Sequence, residues 1–154
     1  MRAVVQRVTA SKVTVAGRVT GEIGKGMNVL IGISREDTEK DADYLVKKLA
    51  GLRIFDDEAG VMNRNAFETE PEGTQQEILV VSQFTLYGDA RKGNRPSYIQ
   101  AQAPEAARGL YLYLIEKLQN VGFHVETGEF RAEMDVEIHN DGPITILLDS
   151  TKTF

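Results

Sequence analysis

The sequence predicts an α/β fold, with one compact domain spanning residues 1–154, on three observations. Segments of alternating apolar residues outnumber the helical ones. Two apolar stripes at helical spacing lie between those strand patterns. No repeat, low-complexity tract or linker divides the chain. At 154 residues and 42% hydrophobic residues, the chain is long enough to bury a sizeable core.

Val4, Gln6 and Val8 alternate with Val5 and Arg7, and the pattern resumes at Val13 and Val15 before Gly17, which predicts a β-hairpin arm. Residues 27–33 read as a buried strand. Ala42, Leu45, Val46 and Leu49 recur at helical spacing behind the candidate caps Asp37 and Thr38, and Gly51 is placed to end that helix. A short strand is expected over 52–55. From Asp56 to Gln76, Gly60, Pro71 and Gly73 among acidic and polar residues predict a long surface excursion, in which Asp56 and Asp57 read as solvated carboxylates. Residues 78–81 return as a core strand.

Pro104 suits a first helical position, and Ala107, Leu110, Tyr111, Leu114, Leu118 and Val121 form one apolar stripe ending at Gly122, the longest helix. Met134, Val136 and Ile138 then alternate with Asp135, Glu137 and His139, and Ile144, Ile146 and Leu148 with Thr145 and Leu147. Gly142-Pro143 reads as the stiff link between these two strands, at a strand tip. Proline fixes its own φ and removes a donor, while glycine tolerates conformations closed to other residues.

Composition narrows the function classes. The absence of cysteine excludes disulfides, thiolate metal sites and a cysteine nucleophile. A formal charge of −5 argues against a protein that coats nucleic acid by charge alone, although a local basic patch is compatible with it. Charge interrupts the first residues too early for a signal peptide and no apolar run approaches a membrane span, so a cytoplasmic protein without a membrane partner is expected. Gly21, Gly24 and Gly26 lack the spacing of a phosphate loop. No histidine and carboxylate group has metal-ligand spacing. No metal or cofactor is therefore expected.

Two polar runs are candidates for chemistry. Ser82-Gln83-Phe84-Thr85 follows directly on the apolar strand 78–81, so hydroxyls and an amide appear at a strand end. There the N–H groups of Phe84 and Thr85 could hold an oxyanion, with Gln83 and Thr85 as polar contacts. Thr85 as nucleophile needs a base, and His124 and His139 have no spacing that marks a triad. The second run, Arg91-Lys92-Gly93-Asn94-Arg95-Pro96-Ser97, puts three cations, Arg91, Lys92 and Arg95, in one loop of an acidic protein, a place to hold phosphate. Arg7 is a further candidate, because it sits within an apolar arm.

With both runs in view, the chain closely resembles the D-aminoacyl-tRNA deacylases. The likeness begins at Met1-Arg2-Ala3-Val4-Val5-Gln6-Arg7-Val8 and passes through Leu52-Arg53-Ile54-Phe55 and Met62-Asn63. It takes in Ser82-Gln83-Phe84-Thr85-Leu86 and Lys92-Gly93-Asn94-Arg95-Pro96-Ser97, then ends at Met134 and Asn140-Asp141-Gly142-Pro143-Ile144-Thr145. The resemblance implies an α/β domain of packed β-sheets with helices on one side, assembled as a homodimer with sites at the subunit interface. It gives Ser82, Gln83, Phe84 and Thr85 to the pocket for the aminoacyl-adenosine 3′ end of tRNA. It gives Gly142 and Pro143, joined by a cis peptide, to a chirality filter reaching into the other subunit, and Arg7 to the support of that filter. Phe130 and Met134, with Arg91, Lys92 and Arg95, are further expected contacts to substrate or tRNA. The departures from the family pattern are Ile144, Gly88, Val61 and Arg131, the last in a loop that is often glycine-rich.

The implied reaction is hydrolysis of the ester between a D-amino acid and the terminal ribose. L-substrates would be rejected sterically, and glycine, with no side chain to exclude, would pass. Thr85 and the substrate's own 2′-hydroxyl both stand as nucleophiles at this point. A noncatalytic RNA-binding module and a small-ester hydrolase are the alternative classes.

Overall fold

A computed structural model describes residues 1–69 and 76–154. The expected turn residues Pro71 and Gly73 lie outside the described residues. Strands β1 (Arg2–Val15), β2 (Arg18–Ile23) and β3 (Gly26–Gly32) come first, followed by helix α1 (Glu39–Gly51) and the short pair β4 (Phe55–Asp56) and β5 (Met62–Arg64). Strand β6 (Glu77–Ser82) runs into a 3-10 turn (Phe84–Tyr87). Helix α2 (Pro104–Asn120), β7 (His124–Thr127) and β8 (Asp135–Asp149) complete the chain.

Six strands make one mixed sheet in the order β2-β1-β3-β6-β7, with β8 on the remaining side of β1. Strand β1 is antiparallel to β2, β3 and β8, whereas β3, β6 and β7 run parallel. The packed sheets expected from the resemblance are therefore one sheet with a long shared strand, accompanied by the two-stranded β4-β5 ribbon. Met27, Val29, Ile31, Ile78 and Val80 join Ala42, Leu45 and Leu49 of α1 and Tyr111, Leu114 and Leu118 of α2 in one core. A second cluster, around Val8, Val13, Ile23, Leu79 and Val81, gathers Met134, Val136 and Ile138 without a helix. Both helices thus cover the first face. Burying each such aliphatic side chain contributes roughly 1.5–3 kcal/mol.

Local chemistry accounts for the helix ends. Thr38 caps α1, its N–H donating to Asp41 Oδ2 at 2.8 Å in a reciprocal box. Asp37, the other candidate, turns inward instead and accepts the Ser34 N–H at 2.6 Å. Pro104 opens α2 as expected, and Tyr111 fixes the helix to the sheet through its hydroxyl, 2.8 Å from the Val80 carbonyl. Val121, placed on the apolar stripe, is exposed, because the helix ends at Asn120 and the chain leaves the core side there.

Three further expectations change. Only Phe55 and Asp56 of the region around 52–55 form strand, and the surface excursion contributes β5 as their partner. Asp56 is not simply solvated, since its Oδ1 lies 3.2 Å from Arg7 Nη1. Gly142-Pro143 does not link two strands at a tip. Both apolar patterns belong to β8 because both pair with the same strand, β1: Val8 pairs with Asn140, Gln6 with Thr145, and the four residues between them oppose Arg7 alone. The motif is a bulge thrown out of a continuous strand. No helix among the described residues is long and apolar enough to cross a membrane.

Candidate active site

Strand β6 delivers Ser82 to the end of its parallel pairing with β3, opposite Ile31. Gln83 N–H then donates to the Ile31 carbonyl at 2.7 Å, and the backbone turns over the sheet edge as the 3-10 turn, closed by Leu86 N–H to Gln83 O at 3.2 Å. The turn lies directly on β3 at Gly32. A Cβ there would stand 2.8 Å from Leu86 Cβ and 3.2 Å from Gln83 O, so only glycine permits this approach. Arg2 braces the far end, donating to Leu86 O at 2.9 Å with its guanidinium 4.6 Å from the centre of the Tyr87 ring.

The turn borders a cleft of about 540 Å³, walled by Ser82, Gln83, Phe84, Tyr98, Phe130 and Met134 together with apolar residues of β3, β6 and α2. Phe84 is 58% exposed and meets Tyr98 edge-on at 5.2 Å. Phe130 packs 5.5 Å from Tyr111. The N–H groups of Phe84 and Thr85 have no acceptor among the described residues, because they stand at the open start of the turn. Thr85 does not line the cleft, and its hydroxyl accepts a hydrogen bond from Gln83 Nε2. The lining contains no histidine and no carboxylate. No set of three histidine or acidic residues that could hold a metal occurs among the described residues.

The bulge is held from two sides. Arg7 is buried; its Nη1 donates to Ile54 O at 2.8 Å and to Asp56 at 3.2 Å, and its Nε lies 3.0 Å from Asp141 Oδ2, out of line with the N–H bond. Asn140 spans the feet of the bulge, with Oδ1 accepting the Ile144 N–H at 3.2 Å and Nδ2 donating to Thr145 Oγ1 at 3.1 Å. Gly142, at φ +118°, occupies backbone space that L side chains rarely adopt, and its peptide to Pro143 is cis. Gly142 and Pro143 are both exposed, and neither lines the cleft of its own chain.

The structure therefore brings Ser82, Gln83, Phe84, Phe130 and Met134 together, with Thr85 adjacent, and sets Arg7, Gly142 and Pro143 apart from them. Arg91, Lys92 and Arg95 are exposed on a loop closed by Asp89 and Ser97, outside the cleft lining. Arg91 is engaged by Asp89, with Nη2 to Oδ2 at 2.6 Å; that bond holds the Asp89 carboxyl well below the usual carboxylate range. Sequence reasoning missed Asp56, Asp141 and Asn140 as holders of the bulge, Gly32 beneath the 3-10 turn, and Tyr98 at the cleft. Asn140 carried one signal, an amide five residues before a threonine around Gly-Pro; Asp56 carried none, since its partner is 49 positions away.

The family described as D-Tyr-tRNA(Tyr) deacylase matches residues 4–149. A D-aminoacyl-tRNA deacylase of Symbiobacterium thermophilum is 55% identical over 154 residues, covering 100% of this chain and 99% of that protein. One of Clostridium botulinum is 56% identical, with 100% of both chains covered. The solved structure of a c-Myc DNA Unwinding Element Binding Protein superimposes with a TM-score of 0.88 at 42% identity, over 97% of this chain and 98% of the other. That of a probable eukaryotic D-amino acid tRNA deacylase does so at 0.79 and 20% identity, over 96% and 98%, and shows a shared fold. Matched along nearly its whole length in sequence and in fold, this chain belongs to the D-aminoacyl-tRNA deacylase family.

Proposed function

We propose that the protein hydrolyses the ester between a D-amino acid and the terminal adenosine of tRNA, as a homodimer in which the Gly142-Pro143 bulge of each subunit closes the cleft of the other. One observation carries this reading: a bulge clamped by Arg7 and Asn140 is exposed and does not reach the cleft of its own chain. Residues 1–154 act in this reading as a single domain. Enantiomers differ only in the direction in which the side chain leaves Cα, so contact energy separates them poorly and blocked space separates them well. Main-chain atoms held at a fixed place supply that block. Glycine, with nothing to exclude, is cleaved as well.

Ser82, Gln83 and Phe84 position the aminoacyl end, while the unpaired N–H groups of Phe84 and Thr85 take the charge that develops on the carbonyl oxygen. Phe130 and Met134 offer apolar contact to the adenosine, and Lys92 and Arg95 face the RNA backbone, with Arg91 held by Asp89. Water adds to the carbonyl carbon, the ester C–O bond breaks, and the ribose oxygen leaves with a proton. A lining without histidine or carboxylate favours assistance by the substrate's own 2′-hydroxyl over attack by Thr85.

The test is deacylation of matched D- and L-tyrosyl-tRNA by the pure protein, expected to be fast for D and negligible for L; equal rates overturn the reading. Activity retained by Thr85→Ala and lost with a terminal 2′-deoxyribose supports assistance by the substrate, and the opposite pair of results returns Thr85 as nucleophile. Cleavage of simple esters as fast as of the tRNA ester would make the protein a general esterase, and binding without cleavage an accessory module.

A further inference from the structure

Arg131 stands apart in the cleft. It is the one charged residue in the lining among the described residues, and no hydrogen bond or ion pair engages it there. Its neighbour Glu129 is occupied elsewhere, by Arg18 at 2.7 Å. The backbone at Arg131 is also unusual. It is the third residue of a turn closed by Ala132 N–H to Glu129 O at 3.2 Å, and its φ is +67°. A turn with positive φ at its third position takes glycine or asparagine by preference, and a long L side chain there is uncommon. An exposed cation is thus kept, at some backbone cost, on the wall of an otherwise uncharged cleft in a protein of net charge −5.

The substrate class of the proposed function has two charged parts near its ester, the ammonium of the amino acid and the phosphodiester preceding the terminal adenosine. Like charge keeps the ammonium away from Arg131, and opposite charge draws the phosphate toward it. Guanidinium is well suited to that partner, because its planar fork offers two parallel N–H donors to phosphate oxygens. We propose that Arg131 is a substrate-binding residue that holds a phosphodiester of the single-stranded 3′ end of tRNA, and so orients the chain with its aminoacyl end toward Ser82 and Gln83. The inference rests on the aminoacyl-tRNA reading above.

The experiment compares the wild-type protein with Arg131→Asn, which accepts the backbone conformation and removes the charge, and Arg131→Lys, which keeps the charge. With D-tyrosyl-tRNA, Arg131→Asn is expected to raise KM about three- to tenfold while kcat stays within about twofold. The dependence of log KM on log salt becomes shallower by about 0.7, the share of one single-strand phosphate contact. Arg131→Lys retains the salt slope, and neither variant melts earlier. On D-tyrosyl-adenosine, which lacks the phosphate, wild type and Arg131→Asn perform alike. An unmoved KM and salt slope in Arg131→Asn, or an equal loss on D-tyrosyl-adenosine, overturns the inference alone. A wild-type protein inert toward D-tyrosyl-tRNA overturns the functional reading, and this inference with it.

Discussion

Replacing Gly32 by alanine tests whether the seat of the 3-10 turn on β3 governs the chemistry. The added Cβ would stand 2.8 Å from Leu86 Cβ, 3.2 Å from Gln83 O and 3.2 Å from Tyr87 Cδ2. Carbon atoms rest at about 3.5–4.0 Å, so the first contact alone is about 0.7 Å too close. The Tyr87 ring can swing aside, but Leu86 Cβ and Gln83 O are fixed to the turn's backbone and move only with it. The turn must therefore lift by several tenths of an ångström, against the Arg2 to Leu86 O bond and the Gln83 N–H to Ile31 O bond. Overpacking of this kind costs about 1–3 kcal/mol. For a domain of this size, about 2 kcal/mol lowers Tm by about 4–8 °C. Catalysis suffers more than stability, because the displaced atoms include the N–H groups assigned to the oxyanion, and misplacement by about 1 Å can cost about 100-fold. A fall in kcat of at least about tenfold on D-tyrosyl-tRNA is expected, with Tm read by thermal unfolding. A Gly32→Ala protein with unchanged kcat would refute the link between this contact and the chemistry, and unchanged Tm as well would refute the packing argument.

Asn140→Ala removes both hydrogen bonds that span the bulge, each contributing about 0.5–1.5 kcal/mol. The expected result is a five- to tenfold rise in cleavage of L-tyrosyl-tRNA, roughly what about 1–1.4 kcal/mol allows, with the D rate unchanged; an unmoved D/L ratio would make Asn140 merely structural. Acid stability should depend on Asp149, which is 4% exposed. Burial raises its pKa, but the Thr151 hydroxyl at 2.7 Å, the Thr151 N–H at 2.8 Å and Arg2 at 3.3 Å outweigh burial and bring it below 3.8. Because the folded value is the lower one, its stabilisation is complete above 3.8 and is lost as pH falls through the folded value. Urea midpoints followed from neutral to acid pH should fall more steeply in wild type than in Asp149→Asn; parallel curves would remove Asp149 from the acid transition.

The periodic parts of the chain were readable as sequence. Ala42, Leu45 and Leu49, and likewise Tyr111, Leu114 and Leu118, announce their helices because burial on one face imposes a repeat that one segment records by itself. The strand 78–81 followed by Ser82 and Gln83 marks the cleft for a similar reason: the change from apolar to polar occurs within consecutive residues. The motif strings around Phe84 and Gly142 also suffice to place the chain in its family, since they are local too.

Only the tertiary structure decided that Gly142-Pro143 is a bulge and not a link. A link and a bulge read alike along the chain, and the distinction rests on both halves of β8 choosing the same partner, β1. The grip of Arg7 on Asp56 and Asp141, the seat of the turn on Gly32, and the isolation of Arg131 in the cleft were likewise hidden, because each joins residues distant in sequence or depends on the absence of a neighbour in space. The sequence by itself determined the two helices, the core strands 27–33 and 78–81, and the family. Long-range pairing, which leaves no period in the chain, determined where the motifs point.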